Sequence, residues 1–326
     1  MKVGVLQFFS WPRRRFPLEE VYERAMQRIE VMDQTGYDAV WLAEHHFNSF
    51  SVCPSVHMMG TMVAARTKNL RIGMAVSLAA FYHPLRLAEE VALLDIFSGG
   101  RVNWGAGRGF DPIEFRTFGV DHSTSYERFR EHFEIVLEAW KNERVTYHGK
   151  FNDFENIEVL PKPMQKPYPP TWVAATSPPA IEWAASQGHT IMMDPHASFA
   201  DIAHKRALYG ERMEANGFSI EGRDIPMARL LAVAETHEEA AEIARRGAAW
   251  TVGSYATPKG NASIDTPIDD PVERYVSQVI LYGTPEEVVD KVKRLEVELP
   301  LNYLMCAPLS HSSFALFTER VLPKLI

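Results

Sequence analysis

The residues best suited to acid–base chemistry are Glu44-His45-His46-Phe47, four consecutive positions that follow the apolar run Tyr37 to Ala43. Titratable groups just past a buried strand are where parallel-sheet enzymes place their proton chemistry. Neighbouring side chains on extended backbone point to opposite sides, so His45 and His46 do not readily share a metal ion. No HxH or HExxH spacing occurs nearby either. A lone histidine is most often structural, but two at a strand mouth favour acid–base work. His45 and His46 are therefore the candidate catalytic residues, and no metal site is expected.

A second cluster, Gly105-Ala106-Gly107-Arg108-Gly109, ends another apolar run. A dinucleotide-binding GxGxxG beginning at Gly105 would need glycine where Phe110 stands, and Asp111-Pro112 delays any following helix, so that reading fails. Glycines here instead let backbone approach a flat ligand. Arg108 supplies a fixed positive charge, suited either to a phosphate or to a structural salt bridge. Thr176-Ser177-Pro178-Pro179 precedes a helix, where hydroxyls cap the first turn and exposed N–H groups attract anions. Capping alone is the commoner role; combined with Arg108, a phosphate site gains weight. His83 stands before Pro84, where simple packing accounts for it.

The elements that must position these groups alternate. Strands are expected over Val3 to Phe9, Tyr37 to Ala43, Leu70 to Ala79, Arg101 to Gly107, Thr171 to Ala175, Thr190 to Met193, Pro226 to Ala234 and Asn302 to Ala307. Between them, helices are expected over Leu18 to Gln34, Pro54 to Ala65, Pro84 to Phe97, Ser125 to Lys141, Pro179 to Gln187, Phe199 to Asn216, Glu238 to Trp250 and Glu286 to Glu298, with a closing helix over Phe314 to Leu322. Repeated β-then-α order predicts a parallel sheet. Tyr147 to Tyr168 breaks the rhythm as an extended, hairpin-like excursion. Residues 254–271 read either as a mobile rim loop or as a disordered connector.

Composition sets the outer bounds. The 326 residues are 46% hydrophobic and 23% charged, enough to bury a large core, and one α/β barrel domain over residues 1–326 accommodates them. A net charge of −8 without a basic run argues against nucleic acid or an anionic membrane as main partner, and Arg13, Arg14 and Arg15 do not reverse that. Cys53 and Cys306 form no CxxC and no disulfide framework, which favours a reducing cytoplasm. No signal peptide is read at the start and no membrane span after it.

In order along the chain, Val40-Trp41-Leu42-Ala43-Glu44-His45-His46-Phe47, Tyr82-His83-Pro84-Leu85-Arg86-Leu87-Ala88-Glu89-Glu90, Ser98-Gly99-Gly100-Arg101-Val102-Asn103-Trp104-Gly105 through Arg108-Gly109, Val173-Ala174-Ala175-Thr176-Ser177 and Tyr282-Gly283-Thr284-Pro285-Glu286-Glu287 together resemble the bacterial luciferase-like flavin-dependent monooxygenases. The resemblance spans nearly the whole chain and is strongest before residue 130. It implies a (β/α)8 TIM barrel with insertions at its C-terminal face, binding reduced FMN. The phosphate would lie near Arg108, Thr176 and Ser177, and the ring near Ala75, Val76, Gly107 and Ala174, with Ala75–Val76 as a non-prolyl cis peptide. His45 matches the catalytic base position. The implied reaction is attack of a flavin C4a-peroxide on an aldehyde- or ketone-type substrate, with reduced flavin supplied by a separate NAD(P)H:flavin reductase.

Two further expectations follow. Gly107 stands where the luciferase α subunit has a reactive cysteine, which predicts a roomier flavin site and argues against light emission. The family dimerises through its early helices, and Pro54 to Ala65 is apolar or small around much of its circumference, which fits a homodimer interface as well as a core. Competing readings are an F420-dependent dehydrogenase and a non-catalytic flavin-binding protein. Phe8, Phe81, Phe110 and Trp250 suggest an apolar substrate pocket or, equally, core.

Overall fold

The computed structural model describes residues 1–254 and 270–326; the rim loop expected over residues 254–271 lies, for residues 255–269, outside the described residues. The strands are β1 (Lys2–Gln7), β2 (Ala39–Leu42), β3 (Arg71–Met74), β4 (Ser77–Leu78), β5 (Val102–Gly107), β6 (Arg144–His148), β7 (Asp153–Glu158), β8 (Thr171–Ala174), β9 (Thr190–Met192), β10 (Pro226–Val233), β11 (Leu281–Gly283) and β12 (Tyr303–Pro308). The helices are α1 (Leu18–Gln34), α2 (Val56–Arg66), α3 (Pro84–Phe97), α4 (Pro112–Phe118), α5 (Ser125–Lys141), α6 (Pro178–Ser186), α7 (Phe199–Ala215), α8 (His237–Ser254), α9 (Pro271–Gln278), α10 (Pro285–Glu298) and α11 (His311–Leu316).

The main sheet runs β11-β10-β12-β1-β2-β3-β5-β8-β9, with β4 beside β5, and every pairing in it is parallel. It curls: beyond β9, Met193 forms a parallel bridge to Met227 of β10, donating its N–H to Pro226 O at 2.9 Å. The result is an α/β fold in which helices cover a curled, mostly parallel sheet.

Side-chain size explains part of the curl. Trp41 of β2 is fully buried, meets Trp172 edge-on at 5.2 Å, and donates through Nε1 to the Tyr303 hydroxyl at 2.9 Å. Its register partner on β3 is Gly73, where an added Cβ would sit 2.3 Å from the indole. A large ring beside a residue without a side chain fills the space enclosed by the sheet without strain.

Helix starts follow local chemistry. Pro84 opens α3 at a position whose N–H needs no partner, and Thr284 with Glu287 forms a complete capping box on α10. One sequence expectation fails here. Asp111-Pro112 does not delay a helix; Asp111 caps α4 by accepting from Ile113 N, and Pro112 is its first residue. Another shifts position. The β6–β7 hairpin connects α5 to β8, so it leaves from the N-terminal ends of the strands rather than inserting at their C-terminal face. It then climbs back along α5, Tyr147 bonding Glu134 and Lys150 bonding Glu127. Among the described residues no helix is long and apolar enough to cross a membrane.

Candidate active site

The chain leaves β2 through Glu44-His45-His46, and as extended backbone demands Glu44 and His46 share one side while His45 takes the other. Glu44 is buried and accepts from Leu78 N at 3.2 Å, from the Tyr82 hydroxyl at 3.0 Å and from His46 Nε2 at 3.0 Å. One carboxylate thereby ties the ends of β2 and β4 together, and with burial it drives the Tyr82 phenol well above its ordinary range. The His46 ring is committed to Glu44 and packs edge-on against Phe118 at 4.8 Å.

His45 turns the other way. It is buried against Phe8, Phe50 and Phe110, with ring centroids 6.3, 5.7 and 6.2 Å away, and its Nδ1 lies 3.8 Å from Glu114 Oε1. The same carboxylate oxygen accepts from His46 N at 3.0 Å. Glu114 therefore holds the loop through His46 N and lies beside the His45 ring. The two histidines occupy different surroundings, and among the described residues no group of three potential ligands could hold a metal ion.

Between β3 and β4 the Ala75–Val76 peptide is cis. Ala75, Val76 and, across the sheet, Ala174 are only half-buried, although the residues before them in β3 and β8 are buried. They leave an apolar surface open at the strand ends, of the kind a planar ring would cover. Gly107 belongs to the same surface, but the room expected there is absent. A Cβ at Gly107 would meet Val76 Cγ2 at 2.5 Å and the Ala174 Cβ at 3.5 Å, so Val76 already fills the space that glycine vacates.

Arg108 follows Gly107. Its Nη1 donates to Ser125 Oγ at 3.0 Å and meets His122 Nε2 at 3.2 Å, while its guanidinium stacks on Tyr126 at 4.1 Å and Phe115 at 5.5 Å. Partial burial lowers its pKa, yet among the described residues no carboxylate lies within ion-pair distance. The Tyr126 hydroxyl is 3.3 Å from Ser177 Oγ, which brings Arg108 and Ser177 to one place. Ser177 occupies the cap position of α6 without a side-chain capping bond, so the capping role does not apply. Pro178 and Pro179 remove the first two N–H groups of α6, and Ala180 N already donates to Ser177 O. An anion here would be held by Arg108 and the hydroxyls, with little help from helix N–H groups; the exposed Thr176 adds one hydroxyl.

Sequence reasoning passed over Glu114, Ser125, Tyr126 and a buried group past β9. Asp194 there accepts from His196 N at 2.7 Å and Ala197 N at 2.8 Å, and His196 Nδ1 bonds the Tyr275 hydroxyl. Burial first, opposed by Asp194 and helped by His45 and Arg229, pulls the His196 pKa down to about 4. Arg229 of β10 is fully buried over the Phe199 ring at 4.6 Å. The available signals were Asp111-Pro112, a cap and first-turn pair that announces α4 and so Glu114, and Asp194-Pro195-His196 at the C-terminal end of a strand.

A family model described as luciferase-like monooxygenase matches residues 1–300. An uncharacterized protein of Sinorhizobium fredii is 39% identical over 170 residues, 52% of this chain and 50% of that protein. The oxygenase component of a flavin-dependent trigonelline monooxygenase of Acinetobacter baylyi is 30% identical over 225 residues, 68% of this chain and 62% of that protein. The matched region thus spans half to less than two thirds of these relatives' length. The crystal structure of a monooxygenase from Streptomyces bottropensis superposes with a TM-score of 0.87 at 28% identity, covering 100% of both chains.

Proposed function

The chain belongs to the luciferase-like monooxygenase family, and from that premise we propose that it is an FMN-dependent oxygenase component, inserting one oxygen atom into an aldehyde- or ketone-type substrate. The observation that carries this reading is the junction of Arg108 with Ser177 through Tyr126, a cation near hydroxyls with, among the described residues, no carboxylate to neutralise it. That donor set fits a phosphate, and the half-buried Ala75, Val76 and Ala174 fit the flat ring that would extend from it. We read the sheet as a closed (β/α)8 barrel. The Met193–Met227 bridge supports closure, with β11 as an extra strand outside the ring.

Reduced FMN, when bound, would supply the electrons and the activation of dioxygen. The protein's residues supply the rest. Arg108, Ser177 and Thr176 bind the phosphate, and Val76 with Ala174 orients the ring. Phe8, Phe50 and Phe110 exclude water around His45. His45, whose Nδ1 faces Glu114 at 3.8 Å, takes or gives the proton, while His46 acts as a positioning residue through Glu44. A separate NAD(P)H:flavin reductase would deliver the reduced flavin, as the description of the Acinetobacter relative as an oxygenase component suggests.

We also assign a homodimer and a reducing, cytoplasmic setting. Met58 and Met62 of α2 are exposed beside Leu93, Ile96 and Phe97 of α3, an apolar face that a second copy would cover. Cys53 and Cys306 are free and buried. The deciding experiment is anaerobic titration with reduced FMN and, separately, reduced F420, followed by labelled dioxygen and a panel of aldehydes and ketones. FMN binding with label in the product supports the reading. Binding of F420 alone, with hydride transfer and no label, overturns it.

A further inference from the structure

We propose that the substrate is an organic anion with an apolar body, its charged group held by Arg13, Arg15 and Arg28 in a cavity that shares a wall with His45; this deepens the oxygenase reading and rests on it. The cavity, of about 1120 Å³, lies at the ends of β1, β10 and β12, between the first half of α1 and the last turns of α8. Its apolar surface comes from Leu6, Phe8, Phe50, Leu230 and Trp250. Five arginines line it, Arg13, Arg15, Arg24, Arg28 and Arg246, and among the described residues no aspartate or glutamate does. In a chain of net charge −8 that concentration of one sign is not background.

The five arginines are not equivalent. Arg24 is paired with Glu20 at 2.6 Å and Arg246 with Glu242 at 3.1 Å, each on its own helix. Among the described residues no carboxylate lies within ion-pair distance of Arg13, Arg15 or Arg28. Arg28 is half-buried and its Nε is buried without a hydrogen-bond partner, a state that a bound anion or water would relieve. Burial also draws its pKa down. Arg13 and its neighbour Arg14 have φ of 53° and 51°, a left-handed pair uncommon for residues bearing a Cβ and typical of functional loops.

Geometry links this cavity to the chemistry. Phe8 and Phe50 line it and also pack on the His45 ring, so the apolar end of an occupant meets the same aromatic pair that encloses His45. It is separate from the phosphate cradle, because none of Arg108, Ser125, Tyr126 and Ser177 lines it. A volume at the upper end of the small-molecule range suits a chain or ring system carrying a terminal charge.

The test titrates oxononanoate and benzoylpropionate, their methyl esters and their phosphonate counterparts into the protein by calorimetry, both flavin-free and with oxidised FMN. Each acid is expected to bind about tenfold or more tighter than its ester. Arg13→Gln and, independently, Arg28→Gln should each remove most of that preference while leaving FMN and ester affinity unchanged. Arg13 is exposed, so its variant reports even if Arg28→Gln fails to fold. A tighter phosphonate assigns a phosphate-type group, and a tighter carboxylate assigns a carboxylate. Equal affinity for acid and ester, or a preference that survives both substitutions, overturns the proposal. Acid preference without oxygen incorporation would sink the oxygenase reading alone, and oxygenation of neutral ketones without acid preference would sink this one alone.

Discussion

The Arg108 guanidinium stacks 4.1 Å from the centre of the Tyr126 ring, and the Tyr126 hydroxyl in turn lies 3.3 Å from Ser177 Oγ. A cation held on an aromatic face is positioned without being neutralised, so its charge stays available to a ligand. Replacing Arg108 with Ala should weaken reduced-FMN binding by about 10- to 100-fold, the worth of one or two charge-assisted hydrogen bonds. Tyr126→Leu should weaken it less, because the charge survives while its position loosens. Anaerobic equilibrium dialysis measures both, and unchanged affinity in Arg108→Ala would remove this residue from the phosphate site.

His45 and Glu114 face each other at 3.8 Å in the other half of the proposed site, where His45 is the residue proposed to carry the proton. His45→Ala should lower oxygenation by about 100-fold or more, the range of general acid–base contributions, while changing FMN affinity little. Glu114→Gln should keep the fold of the loop, since an amide oxygen still accepts from His46 N, yet shift the pH profile of turnover. Equal losses of oxygenation and flavin binding in His45→Ala would mean that the ring holds structure rather than chemistry.

The legible parts of this molecule are those governed by local rules. Periodicity and caps gave the bounds of α1, α3 and α5 to the residue, because long amphipathic stretches carry their own signal. The positions of His45 and Arg108 followed from lying at the ends of strands. What stayed hidden depends on contacts between distant segments. Tyr126 looks like any residue in the first turn of α5 until β5 brings Arg108 over it. Gly107 reads as open space until the turn between β3 and β4 brings Val76 against it. Arg13 and Arg15 read as part of a short basic run because the cavity that they line together with α1 and α8 is assembled only by the fold.

The Gly107–Val76 contact is itself testable. A Cβ at position 107 would lie 2.5 Å from Val76 Cγ2, inside any tolerable contact, with Gly107 on β5 and Val76 in the short link that precedes β4, itself paired to β5. Gly107→Ala should therefore destabilise the fold by about 1–3 kcal/mol through overpacking. Val76→Ala in the same chain should recover much of that, a coupling that chemical denaturation of the double-mutant cycle would reveal. Additive losses would show that the two side chains do not compete for the same space.

Acid should weaken the fold in a window set by two half-buried histidines, His189 and His196. Burial, with smaller effects from Lys141 and Arg223, pulls the His189 pKa from 6.5 down to about 4, and burial likewise lowers that of His196 to about 4. The native state keeps both rings neutral, whereas the unfolded chain takes up protons once the pH falls below about 6.5. Stability contributed by this neutral state is complete above that pH, declines as pH falls, and is gone below the native value. Each group can add about 1.4 kcal/mol per pH unit to the slope within the window. His189 lies between Phe133 and Trp183, with centroids 4.9 and 5.5 Å away, so His189→Phe preserves the aromatic packing and removes the titration. Unfolding free energies of the two proteins should be similar at pH 7 and diverge as pH falls toward 4, the variant keeping more of its stability and showing about half the wild-type slope if the two histidines dominate. Parallel curves would exclude His189 as a source of the acid sensitivity.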